Sequence, residues 1–443
     1  FSYSPSREWS SLVDQAKVLT DRAWVNLRPK LIPLLEVNRE ARLEREKLER
    51  KRARRTRLEA YLKTIKEERG PIVDVTVPPL AIPGSSSSST SSSDVRIKHM
   101  GIFPNLIDVL EWDQMKEFLE NDTSVADMEE QVSKRLPEIT RRADKWIDDT
   151  EGQLVEVLRK AHEADNLGRD IPDPSLFISG GSSSPLENAT GNEKILLRAD
   201  SLFELTGGGA RPPVIYDAAV LGGYTSMTYL WSFTYAYDRP LDVTKLKPHA
   251  EAQKAARKIL AHIGKPDATV LEMRAAGQTY RCGRCHDWDS FSWEEIVNHF
   301  VLKQQHWEGV QKLQSVLKNG ITFRNVHDPA FVTDKPMIKL LTQNELAAEV
   351  HEWSNGNNTN MCKVCSKAGI NPEVQTNESD IIAHLTDVHD ISEPKVSEHY
   401  GPVIHGGYDD DYPVDDYEDP IFWGQNHHWS EDDDMYDDFG DWY

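Results

Sequence analysis

Two Cys-x2-Cys pairs, each trailed by two histidines, constrain this chain more than any other feature. Cys282 and Cys285 precede His299 and His306, Cys362 and Cys365 precede His384 and His389, and no cysteine is left over. Two thiols one tight turn apart, followed by two imidazoles from a short helix, supply the four donors that tetrahedral Zn2+ requires. The expectation is two structural zinc ions, one held by Cys282, Cys285, His299 and His306 and one by Cys362, Cys365, His384 and His389. Four protein ligands leave no position open for a substrate or an activated water. There is no His-Glu-x-x-His pattern, phosphate loop, nucleophile elbow or paired-carboxylate site, so a non-enzymatic protein without catalytic residues is expected. With every cysteine in a metal-like pair, a disulfide framework is disfavoured and a reducing compartment favoured.

The second unit reads MCKVCSKAGINPEVQTNESDIIAHLTDVH, that is Cys-x2-Cys-x18-His-x4-His. Ile381 precedes His384 by one helical turn, where a small unit needs an apolar plug. The first reads YRCGRCHDWDSFSWEEIVNHFVLKQQHWE, or Cys-x2-Cys-x13-His-x6-His, with Tyr280, Phe291 and Ile296 at apolar positions. Both resemble the C2H2 zinc-finger family. The departures are the long middle spacer of the second unit and the last spacing of the first. On a continuous helix, His299 and His306 lie about 10.5 Å apart along the axis, too far to share an ion bonded at about 2 Å. Either the helix breaks, or His286 or Asp287 substitutes. The scattered His327, His351, His399, His405, His427 and His428 read as surface or structural. The remainder resembles fungal proteins carrying degenerate C2H2 units, which implies no mechanism.

A length of 443 residues suggests two to four domains. Residues 1–70 form a basic helical segment, with helical turns ending at Pro29 and Pro33 and then a stretch rich in helix formers. Its apolar positions, Leu43, Leu48, Leu58, Leu62 and Ile65, hold no heptad, so a solvated helix is expected rather than a strong coiled coil. Residues 71–98 read as a disordered Pro/Ser linker, 99–178 as helical with Pro137 in a first turn, and 179–191 as a Gly/Ser linker. Residues 192–275 read as a mixed helical and aromatic core. The first zinc unit spans 276–310, a helical spacer 311–355, the second unit 356–392, and a disordered acidic-aromatic tail 393–443. Within the core, residues 218–237 carry no charge, but their Gly, Ser and Thr content and alternating aromatics suit a buried strand better than a membrane span. The chain starts at Phe1 rather than Met, leaving a fragment or processed form open, and its first residues show no secretory signal. The expected fold class is mainly α with small ββα-type zinc-stabilised units, long disordered linkers and an acidic tail.

Charge is unevenly placed. From Val396 onward there are fifteen Asp and Glu and no Lys or Arg; the net charge of −22 falls to −7 without them. Arg50, Lys51, Arg52, Arg54 and Arg55 form a basic run that reads either as a nuclear-import or phosphate patch or as a solvated helix face. From Gly407 ten aromatics interleave with fourteen carboxylates, the composition of a segment that docks into apolar grooves. Glu294, Glu295, Glu378, Asp380 and Asp387 on the helices of the two units would repel phosphate, so DNA reading is not favoured. These features point to a nuclear, zinc-binding regulator that works through protein partners docked on the tail and helical regions, with no membrane partner. The alternatives are a cytoplasmic scaffold with purely structural zinc and a nucleic-acid-binding zinc-finger protein.

Overall fold

Residues 50–65 of the first long helix show how this sequence selects its packing. The computed structural model describes residues 11–13, 18–77, 95–176, 186–204, 212–224, 239–285, 289–317, 320–342, 344–346, 359–368 and 374–403. The chain divides into two units, one of Phe1–Arg69 with Phe103–Trp146, the other of Gly70–Ile102 with Ile147–Tyr443.

In the first unit, α1 (Asp21–Arg69) continues through Pro29 and Pro33 instead of ending there. Each proline removes one helical hydrogen bond, but this stretch is exposed, so water satisfies the freed carbonyls; Val25 is 68% exposed. Leu43 and Leu48 stay exposed, whereas Leu58, Leu62 and Ile65 are buried. That short stripe packs with Leu106 and Val109 of α2 (Leu106–Leu110) and Met115 and Phe118 of α3 (Asp113–Glu120). Met128, Val132 and Ile139 of α4 (Val125–Ala164) complete this core. Each such side chain, fully buried, contributes about 1.5–3 kcal/mol. Pro137 lies inside α4 rather than in its first turn. The helix starts twelve residues earlier because the Ser124 hydroxyl accepts the Asp127 amide at 3.1 Å.

The basic run is spent on this packing. Arg54 is 1% exposed. It donates to the carbonyls of Leu119 (3.1 Å) and Thr123 (2.8 Å), at the end of α3 where the helix leaves acceptors unpaired. Arg50 grips Asp122 with two bonds of 3.0 and 2.7 Å, and Lys51 meets Glu120 at 2.8 Å. Arg55 pairs with Glu59 on its own helix, and Arg57 with Glu129.

In the second unit, Val73–Val77 (β1) and Val95–His99 (β2) pair antiparallel in the register Val73↔His99. The sequence reading placed both in a linker; the alternation of VDVTV, buried at Val73 and Val77, half-buried at Val75 and exposed at Asp74 and Thr76, overrides the neighbouring Pro and Ser composition. The helical set is α5 (Gly191–Leu196), α6 (Tyr216–Gly223), α7 (Ala250–His262) and α8 (Val270–Arg274). The described start of the aromatic segment is thus helical, and residues 225–238 lie outside the described residues. No described helix is long and apolar enough to cross a membrane.

The metal-bearing part follows. β3 (Tyr280–Cys282) pairs antiparallel with β4 (Ile338–Leu340), and α9 (Trp293–Leu317) packs on α7 and α8. β5 (Asn360–Cys362) lies between β6 (Gln375–Thr376) and β7 (Tyr400–Pro402), with α10 (Lys363–Lys367) and α11 (Glu378–His389) beside them. The architecture is mainly helical with small antiparallel sheets. Neither metal-bearing part is a plain ββα unit: the partner strand of β3 comes from beyond α9, and the second part adds α10 and β7. Among the described residues the expected helical spacer is helical to Leu317 and again at 344–346; between them, residues 320–337 run as an irregular strap into β4.

Candidate metal centres

The first centre is assembled from three places. A reciprocal pair of backbone bonds between Tyr280 and Phe291, 3.0 and 2.7 Å, folds the chain back after β3 and forms the largely buried knuckle Cys282–Cys285. Gly283 is required there, since a Cβ would stand 2.2 Å from the Pro336 carbonyl oxygen. Ser292 and Glu295 then cap α9. Trp293 anchors the helix start: it is fully buried, its indole N–H donates to Ala199 at 3.0 Å, and its ring meets Tyr280 edge-on at 5.9 Å. One and a half turns on, His299 Nε2 lies 3.4 Å from Cys285 Sγ.

The fourth donor is His327, not His306. One side-chain atom from each of Cys282, Cys285, His299 and His327 lies within 4.8 Å of the others. α9 runs unbroken past His306, so the axial separation of about 10.5 Å stands. His306 instead packs its ring against Phe323 at 5.9 Å. The strap retraces α9 in the opposite direction. Gln314 donates to the Ile321 carbonyl (2.6 Å), Gln311 to that of Phe323 (3.3 Å), and Asn325 to the Gln304 side chain (2.7 Å). His327 therefore arrives opposite His299, their ring centroids 5.3 Å apart. The Arg284 guanidinium, in the knuckle, fixes the far side of this loop by donating to the carbonyls of Val326, Asp328 and Phe331 at 3.3–3.4 Å. Reading His327 as a structural histidine missed this role. Helix geometry argued against His306 unless the helix broke, and the next histidine in the chain is His327. His286 and Asp287 lie outside the described residues.

The second centre is contiguous and fully buried. Cys362 ends β5 and Cys365 lies in α10, whose amide donates to Cys362 Sγ at 3.4 Å. Asn377 caps α11 through the Asp380 amide (2.9 Å), and Ile381, fully buried, is the plug below His384. Nε2 of His384 and of His389 approach Cys365 Sγ at 3.3 and 3.2 Å. Seven of the eight expected donors are thus brought together, with His306 replaced by His327. His399 is tied to Lys395 and Glu398 instead, and His351, His405, His427 and His428 lie outside the described residues.

Zinc fits both donor sets. A tetrahedral ion bonded at about 2.3 Å to sulfur and 2.0 Å to nitrogen has S···N edges of about 3.6 Å, close to the 3.2–3.4 Å found here. His327 Nε2 is buried, with the Cys285 side chain as its polar neighbour, which suits a ligating nitrogen. Two thiolates with two neutral imidazoles also cancel the ion's charge, which burial demands. Burial raises the Cys282 thiol, but the bond with Cys285 and the amides of Arg284 and Cys285 outweigh it and bring it below the ordinary range. Cys285 is pushed up by its bond with Cys282 and by burial, so the pair shares a proton that a metal would displace. The bond with Cys365 holds Cys362 well below its usual value, against burial and with help from His384 and His389. Burial lowers His327, favouring the neutral ring that ligates.

Among the described residues, the recess beside the first cluster is small. A cavity of about 70 Å³ touches His327 among Lys254, Phe300, Pro329 and Met337, well below the ~300 Å³ where ligand pockets begin. A second, of about 320 Å³, is an open recess lined by Arg159, Arg169, Asp170 and Ile171, none of them a donor.

The docking mode expected of the acidic end requires correction. Residues 404–443 lie outside the described residues, and the ring contacts among the described residues, such as His99–Tyr216 and Tyr280–Trp293, sit within the packed interior. No aromatic cluster among the described residues forms a docking face, and capture of partners by an aromatic tail is withdrawn. No protein-family model, curated protein or solved structure matches this chain. The likeness to C2H2 fingers therefore extends to the donor sets and no further.

Proposed function

We propose that the protein is a non-enzymatic, zinc-dependent protein in which two ions act as structural cross-links. The observation that carries this reading is the pair of closed Cys2His2 sets, each with its four donor atoms within 4.8 Å of one another. Four ligands satisfy the ion and leave it chemically inert. Structural zinc contributes on the order of 10 kcal/mol to the fold it closes. Here the first ion joins β3, α9 and the strap, and the second joins the β5–α10 corner to α11.

Neither nuclear import nor duplex binding is needed by this reading. Four of the five cations in the basic run are engaged in ion pairs of the first unit. The acidic groups expected to repel phosphate hold the second unit together: Glu294 with Arg274, Asp387 with Lys335, and Glu378 with the Tyr400 hydroxyl. Elemental analysis of the full chain tests the proposal. Two equivalents of zinc are expected, with loss of structure in the second unit on chelation; well under one equivalent and indifference to chelator would overturn it.

A further inference from the structure

The strap that carries His327 to the first centre also touches the second. The Thr322 carbonyl lies 2.9 Å from His389 Nδ1. A carbonyl only accepts, so Nδ1 is the protonated nitrogen and Nε2, 3.2 Å from Cys365 Sγ, is left as the donor to metal. Arg324 adds a clamp: its backbone amide donates to the Val388 carbonyl at 2.9 Å, and its guanidinium to the carbonyls of Asp387 (2.7 Å) and Thr386. The same guanidinium pairs with Asp390 at 3.0 Å, where α11 ends in a left-handed residue. Phe323 meets His389 edge-on at 5.7 Å and His306 at a tilt at 5.9 Å. Four residues separate Thr322, which orients a ligand of the second centre, from His327, a ligand of the first.

We propose that the two metal centres are coupled through this strap, so that filling either one raises the affinity of the other. The inference rests on the metal reading above. Ordering residues 320–327 costs conformational entropy. The first ion to bind bears that cost, and the second finds its histidine already placed. Removing an outer partner of a metal-bound histidine lowers affinity by about 10- to 100-fold, which sets the expected size of the coupling.

The test uses the full chain stripped of metal and titrated with Co2+, whose visible absorption reports thiolate coordination. Affinity of the first centre is measured in C362S/C365S, and that of the second in C282S/C285S. Each should be about 10- to 100-fold weaker than the same centre in the unaltered chain with its neighbour filled, and the two factors must be equal by linkage. R324A, which removes no donor, should keep two equivalents while shrinking both factors. Should the cysteine variants fold poorly, native mass spectrometry of the unaltered chain given one equivalent of zinc decides. Two equal, independent centres would leave about half of the molecules singly loaded, and coupling predicts fewer. Affinities unchanged within about twofold, or a singly loaded share in the unaltered chain no smaller than in R324A, overturn the coupling. Absence of any bound metal overturns the underlying site reading instead.

Discussion

Exchanging each of two histidines for alanine separates the ligand set found here from the one that spacing alone suggests. His327→Ala removes a donor from a group whose members lie within 4.8 Å of one another. His306→Ala removes a ring that lies about 10.5 Å along the helix from His299 and touches Phe323. A lost donor weakens binding by at least the ~100-fold that a lost outer partner can cause, which is about 2.8 kcal/mol at 1.4 kcal/mol per decade. At fixed free zinc the whole of that difference appears as lost stability, because only the folded state binds the ion. His306→Ala forfeits packing alone, roughly 1 kcal/mol, with no change in metal content. The assay is zinc content after dialysis against a graded chelator, paired with urea denaturation in excess zinc and in its absence. His327→Ala should retain one tight equivalent and His306→Ala two. Two tight equivalents in His327→Ala, or one in His306→Ala, would refute the strap-delivered ligand.

Gly283→Ala places a methyl 2.2 Å from the Pro336 carbonyl oxygen, so the knuckle must move. A cost of about 1–3 kcal/mol and a weakened first centre are expected in the same urea and metal assays. Trp293→Ala should lower stability by about 3–5 kcal/mol in urea denaturation, since the ring is fully buried and its N–H satisfies Ala199. Arg54→Ala leaves the Leu119 and Thr123 carbonyls without their donor, at a cost of about 2–4 kcal/mol. The exposed Arg52→Gln should stay within about 0.5 kcal/mol by thermal denaturation. The bond with Arg50 holds the Asp122 carboxyl at about 2, below its ordinary value of 3.8. Its contribution is therefore complete above about pH 4 and is lost as pH falls through about 2. Asp122→Asn should narrow that acid dependence, with the two unfolding profiles converging at the low end.

The donors that lie close in sequence were legible, because a thiolate pair and a following helix leave a fixed spacing; Cys282, Cys285, His299 and the whole second set follow from it. His327 was not, because its position depends on a strap held by Gln304, Gln311 and Gln314, and amide side chains on a helix carry no periodic signal. The strands β1 and β2 were hidden for a related reason. Five residues of alternation weigh little against surrounding Pro and Ser, yet pairing decides the conformation. Arg54 illustrates a third kind of miss. Apolar periodicity marks Leu58, Leu62 and Ile65, but counts as surface an arginine that is more deeply buried than two of them.

A piece of this chain trimmed at residue 310, where a finger-like spacing would end it, would carry two thiolates and one imidazole around its first ion. Water would occupy the vacant corner, giving the coordination of a hydrolytic centre rather than of a staple. Any reactivity seen in such a trimmed piece, or after proteolysis between α9 and His327, would belong to the cut and not to the intact molecule.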